Sequence, residues 1–133
     1  MSAQNLELVR KGYEAWNRHD LDAVARMLHP DVSWHGYSHV PEPGELRGRE
    51  EVRRWLERFL EVWGELEIEL IEVTDAGEQV VALVRFKGRG SGSGIEVESG
   101  VDAHVWTIRD RKVTSVRLFQ GTREALEAVG NRS

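Results

Sequence analysis

Residues 101–108 read VDAHVWTI. Side chains of an extended segment alternate between faces, so Asp102, His104, Trp106 and Ile108 share one side, and Val101, Ala103, Val105 and Thr107 the other. A carboxylate, an imidazole and an indole in succession are unusual on one face of a strand. Either that face looks at water, or it lines a cavity where polar groups act on a bound molecule. Neighbours on one face start roughly 6.5–7 Å apart, so Asp102 and His104 can reach one small molecule together. An imidazole, with an ordinary pKa of about 6.5, donates or accepts a proton near neutrality. A carboxyl against an indole wall is held towards its protonated form by desolvation, whereas an adjacent imidazolium would keep it ionised. Asp102 and His104 are therefore the candidate catalytic residues, for acid–base chemistry. The competing reading is a hydrogen-bonded pair with a purely structural role.

Other chemistries find little support. With no cysteine in 133 residues, disulfides, zinc–thiolate sites and thiol nucleophiles are excluded. His35 and His39 have the i,i+4 spacing that suits a metal on a helix, but Pro41 and Pro43 mark their surroundings as loop, so no metal site is expected. The run GRGSGSG lacks the lysine and the strand–helix setting of a phosphate-binding loop. No cofactor is required by any motif present. A net charge of −5 argues against a nucleic-acid partner, since neutralising phosphates needs clustered Lys and Arg. Apolar runs fall well short of the ~20 residues that cross a bilayer, and MSAQNLELVR has no signal-peptide centre. No membrane association and a cytoplasmic location are the expectations.

The elements that must position the candidate strand follow from periodicity. Leu6, Val9, Tyr13 and Trp16 make a helical stripe; Asn17 to Asp20 break it, and Asp20 can cap a second helix, LDAVARML. Pro30 stops that helix, a short strand VSWH follows, and GYSHVPEPGELRG reads as irregular loop. The helix EEVRRWLERFLEVW carries Val52, Trp55, Leu56, Phe59 and Trp63 on one side, with Gly64 placed to end it. The period then falls from 3.6 to 2. ELEIELIEVT and QVVALVRFKG form strands around the turn DAGE, and GRGSGSG reads as a hairpin connection. IEVESGVDAHVWTI reads as one long strand, RDRK as a tight turn, VTSVRLFQ as the last strand and REALEAV as a terminal helix capped by Thr122. Helices followed by an antiparallel run of strands describe one α+β domain over residues 1–133.

Three segments, YEAWNRHDLDAVARMLHPDVSWHG, LRGREEVRRWLERF and HVWTIRDRKVTSVRLFQGTREALEAVG, together cover most of the chain. In this order they resemble the SnoaL-like branch of the nuclear transport factor 2-like superfamily, which also holds ketosteroid isomerases, polyketide cyclases and limonene epoxide hydrolases. The resemblance implies a curved antiparallel sheet wrapped around the N-terminal helices, cone-shaped with an internal pocket, and a homodimer that pairs through the sheet. It places His104 where ketosteroid isomerases carry a protonated aspartic acid. It also places Gly12 and Gly36 where those enzymes carry their catalytic tyrosine and their aspartate base, so the usual isomerase machinery is absent. Arg111 stands where members usually place glycine in the last hairpin turn.

On this layout Trp16, Trp34, Trp55 and Trp106 surround the cone, with Phe59 beside them. Tyr13 falls on the core stripe with its hydroxyl at the pocket rim, and Gln120 on the last strand can meet a buried indole N–H or a ligand. These seven residues are the candidate ligand-binding set, for a small apolar and carbonyl-bearing molecule. A non-catalytic binding or dimerisation domain would use the same residues, and a pocket collapsed around its tryptophans is the structural alternative.

Overall fold

The computed structural model describes residues 2–36, 44–62, 65–89, 96–98 and 100–119. Three helices precede or interrupt seven strands: α1 (Ser2–Asn17), α2 (Leu21–Met27), β1 (Leu28–His35), β2 (Glu45–Arg47), α3 (Arg49–Val62), β3 (Glu65–Ala76), β4 (Gln79–Arg89), β5 (Glu96–Glu98), β6 (Asp102–Arg109) and β7 (Lys112–Phe119). The terminal segment 123–129, Trp63 and Gly64, and the connection 90–95 lie outside the described residues.

Local chemistry accounts for the helix junctions. His19 adopts φ 59° in the break between α1 and α2. The Asp20 carboxylate then accepts the Ala23 N–H at 3.1 Å, supplying an acceptor for an otherwise orphan donor of the first turn. Asn17, at the end of α1, ties this corner to the sheet by a route that periodicity does not predict. Its side chain accepts the Ile68 N–H at 2.8 Å and donates to the Ile68 carbonyl at 3.0 Å, imitating a paired strand residue.

The strands make one sheet in the order β2-β1-β7-β6-β4-β3, with β5 beside β4. The sheet is mixed, which corrects the all-antiparallel expectation: β1 runs parallel to β7, while the other described pairings are antiparallel. The first strand also begins earlier than VSWH, at Leu28. Its register against β7 shifts between Leu28 and Ser33, so Pro30 falls in the irregular part, where its missing N–H breaks no regular ladder. The long strand expected from residue 95 is divided into β5 and β6. Glu98 stands opposite Lys87 and Asp102 opposite Val84, so the two segments are out of step against a single partner strand.

A bulge solves a parity problem in β3. Leu66 and Ile68 are buried and Leu70 is half-buried, while Val73, three positions on, also packs against the core. Strict alternation would expose Val73. The register shift between Leu70 and Glu72 inserts Ile71 as an extra residue, restores Val73 to the inner face and leaves Ile71 44% exposed.

The inner face of the sheet and the three helices share the main core, built on Val9, Leu28, Val32, Val52, Val80 and Val116. A second, smaller cluster of Val81, Ala103 and Val105 packs on the opposite face, with Leu83 and Phe119 against it. Strand β6 is thus buried on both sides, with Ala103 and Val105 on one face and Asp102, His104 and Trp106 on the other.

Candidate functional site

The even-numbered face of β6 does not look at water. Asp102, His104 and Trp106 are 7%, 4% and 5% exposed. Their ladder partners Val84, Ala82 and Val80 belong to the main core, which fixes the side of the sheet they occupy.

A cavity of about 230 Å³ lies between this face and the helices. Six of the residues expected to contact a ligand, Tyr13, Trp16, Trp34, Trp55, Phe59 and Trp106, line it together with His104. Gln120 lies outside the described residues. Asp102 is buried on the same face of the same strand but is not among the lining residues. His104 is the sole titratable imidazole or carboxyl in the described lining.

Three polar side chains form a relay in the wall. The Trp106 indole N–H donates to the Tyr13 hydroxyl at 3.0 Å, and that hydroxyl lies 2.7 Å from His104 Nδ1. An indole nitrogen can only donate, so the phenol oxygen accepts there and keeps its own proton for a second contact. Where that proton goes to Nδ1, His104 is the neutral tautomer protonated on Nε2. Burial pushes the His104 pKa from 6.5 down to about 3, because an imidazolium here would lose its hydration. Tyr13 is fixed from both sides by the rings, stacked against His104 at 6.0 Å and edge-on to Trp106 at 5.5 Å. The phenol is therefore more than a core residue with its tip at a rim: its hydroxyl couples α1 to β6.

The rest of the wall is aromatic. Trp55 and Phe59 stack at 5.0 Å on α3, Trp16 reaches Phe59 across 6.4 Å, and Trp34 meets Trp106 edge-on at 6.4 Å. The indole nitrogens of Trp16 and Trp34 are buried without an acceptor. Each such donor costs about 1–3 kcal/mol if left unmet.

Several wall residues escaped the sequence reading. Phe86 lies 5.9 Å from His104, ring to ring, and its register opposite Ile68 carries both into the lining. Gly12 stands where the resemblance would place a tyrosine; its role here is space. A Cβ at Gly12 would stand 2.7 Å from both the sulfur and the terminal methyl of Met27, another lining residue. The bare backbone lets that thioether lie flat in the wall. Helical spacing from Tyr13 and Trp16 could have pointed to Gly12, but not to the residue it accommodates.

Among the described residues there is no cluster of three or more His, Cys, Asp or Glu able to hold a metal, and no helix long and apolar enough to cross a membrane. His39 lies outside the described residues.

Comparison with known proteins gives the same outline. Residues 9–116 match the SnoaL-like domain family. An NTF2-like protein from Burkholderia thailandensis E264 superposes with a TM-score of 0.76 at 28% identity, covering 92% of this chain and 94% of its own. A candidate SnoaL-like polyketide cyclase from Jannaschia sp. CCS1 gives 0.79 at 22% identity, covering 96% and 92%. TerC, co-crystallised with polyporic acid, gives 0.77 at 22% identity, covering 96% and 98%. No curated protein matches the chain. The family match spans most of the sequence and the fold neighbours span nearly all of it: the chain belongs to the SnoaL-like domain family, on the nuclear transport factor 2-like α+β fold.

Proposed function

We propose that the cavity binds a small, neutral, largely apolar molecule carrying a carbonyl or similar acceptor oxygen, seated against the polar spot made by Tyr13 and His104. The observation that carries this reading is the Trp106–Tyr13–His104 relay set in an otherwise apolar, aromatic wall. A few placed polar groups in an apolar cavity are what orient a small ligand. The absence of any charged side chain from the described lining disfavours an ionic ligand, whose desolvation would go unrepaid. The two unmet indole donors add to a wall that offers hydrogens and asks for acceptors. That TerC was co-crystallised with polyporic acid agrees with a small-molecule role for the fold.

Any catalysis would rest on polarising the ligand oxygen. A base whose conjugate acid has a pKa of about 3 has little driving force to take a proton near pH 7. A neutral imidazole can still stabilise charge developing on an oxygen beside it. Asp102 is not among the lining residues and would act through its neighbours. A non-catalytic binding domain is the second reading, favoured by that same low pKa. Pairing of two copies through the sheet belongs to the proposal too, and sedimentation analysis of the free chain tests it.

Tryptophan fluorescence tests the ligand class. Benzophenone should quench it saturably and bind roughly five- to tenfold more tightly than diphenylmethane, the value of about one hydrogen bond. Benzoate should not bind. In His104→Leu the ketone's advantage should vanish while the hydrocarbon still binds. Equal affinity of ketone and hydrocarbon for the native chain would remove the polar spot from the account, and no quenching by either would remove the ligand.

A further inference from the structure

A second concave surface has the opposite character. A groove of about 550 Å³ runs between α1, α2 and the β6–β7 turn, and an adjoining one of about 430 Å³ along α1 shares Leu8, Lys11 and Arg111 with it. Met27 is the one residue common to the larger groove and the apolar cavity, so the groove is a separate surface.

Lys11 from α1, Arg18 just past its end, Arg26 from α2, Arg111 from the β6–β7 turn and Lys112 at the start of β7 line the larger groove, with Glu14 as its one carboxylate. This is a concentrated positive surface on a chain of net charge −5. Several arginines elsewhere are matched: Arg47 with Glu45, Arg53 with Asp22 and Glu57, Arg85 with Glu69, Arg109 with Glu78. None of the five groove cations makes an ion pair among the described residues. The Lys112 ammonium donates to the Arg26 carbonyl at 2.6 Å, which ties the turn to α2 and leaves the charge uncompensated.

We propose that this groove binds a small molecule bearing an oligophosphate group. Cations from three elements around one concavity focus positive potential there and raise the local concentration of anions. A single carboxylate, with two oxygens, has too few acceptors to meet all five. Several adjacent phosphates can meet guanidinium forks and ammonium point charges together. The groove's size falls within the roughly 300–1,000 Å³ of small-molecule sites. Leu8, Ala15 and Met27 among its lining offer contact to an organic body.

Inorganic tripolyphosphate is the first probe, titrated into the isotopically labelled full chain at about 50 mM salt, where screening is modest. Saturable shifts are expected at the amides of the groove residues. Arg111→Glu with Lys112→Glu, and independently Lys11→Glu with Arg26→Glu, should each weaken binding at least roughly tenfold. Arg54→Glu with Arg58→Glu, exposed on α3 away from the groove, should leave it unchanged. An alkyl diphosphate binding more tightly than tripolyphosphate would assign a phosphate ester as the ligand; the reverse would assign a free oligophosphate. No saturable binding, equal weakening by the α3 pair, or oligonucleotide binding that grows with length and displaces tripolyphosphate would overturn the proposal.

Discussion

The inner face of β6 and the outer edge of the β3–β4 hairpin both carry ionisable or polar side chains, in opposite surroundings. On the hairpin, Arg85 meets Glu69 at 3.2 Å, and Glu78 in its turn meets Arg109 at the end of β6 at 3.1 Å, all partly or largely open to solvent. On the inner face, His104 and Tyr13 meet at 2.7 Å with both residues buried. Solvent screens the first kind of contact and offers an alternative to it; the second has no alternative. The consequences of disturbing them should therefore differ by several-fold, and the differences can be measured.

The largest effect is expected from pH. His104 binds its proton far less readily folded than unfolded, so between about pH 6.5 and 3 the unfolded chain holds the extra proton and stability rises with pH. The contribution is complete above pH 6.5 and is lost as the pH falls through that window. Its full size is on the order of several kcal/mol, by the conversion of about 1.4 kcal/mol per pKa unit. Urea unfolding from pH 7 to pH 4 should show the decline, and His104→Phe should flatten it.

Tyr13→Phe should come next, at roughly 2–3 kcal/mol, because it strands the Trp106 N–H and His104 Nδ1 in a dry interior. A loss as small as that of an edge ion pair would mean that the relay is wet.

Smaller, and opposite in sign, is the turn. Asp110 and Arg111 adopt φ 51° and 66°, the left-handed geometry of a tight hairpin that glycine enters without penalty. Arg111→Gly should raise stability by about 1 kcal/mol. The least effect belongs to Arg85→Ala, within about 0.5 kcal/mol in the same unfolding experiment.

The two regions were also unequally legible in the sequence. Period-two alternation places Asp102, His104 and Trp106 on a common face, and the α1 stripe places Tyr13 and Trp16 on theirs, because burial selects residue types at fixed spacing. The α+β class followed from that ordering of stripes and strands, and the sheet wrapped around the helices from the resemblance to the SnoaL-like branch. The contact that gives the site its chemistry did not, since Tyr13 and His104 are 91 positions apart and meet only once α1 lies across the sheet. The same limit explains the parallel β1–β7 pair, whose strands are remote in the chain. Met27 over Gly12 belongs to this class of tertiary facts, visible only when a helix and its neighbour are seen together.

The account depends on His104 being a neutral imidazole, held at Nδ1 by Tyr13 within an apolar cavity. Nitrogen-15 NMR of the labelled imidazole across pH 4–7 reads this directly. The prediction is a single Nε2-protonated tautomer that does not titrate in that range, with Tyr13→Phe altering the Nδ1 shift. Titration near pH 6.5, or a proton residing on Nδ1, would contradict it.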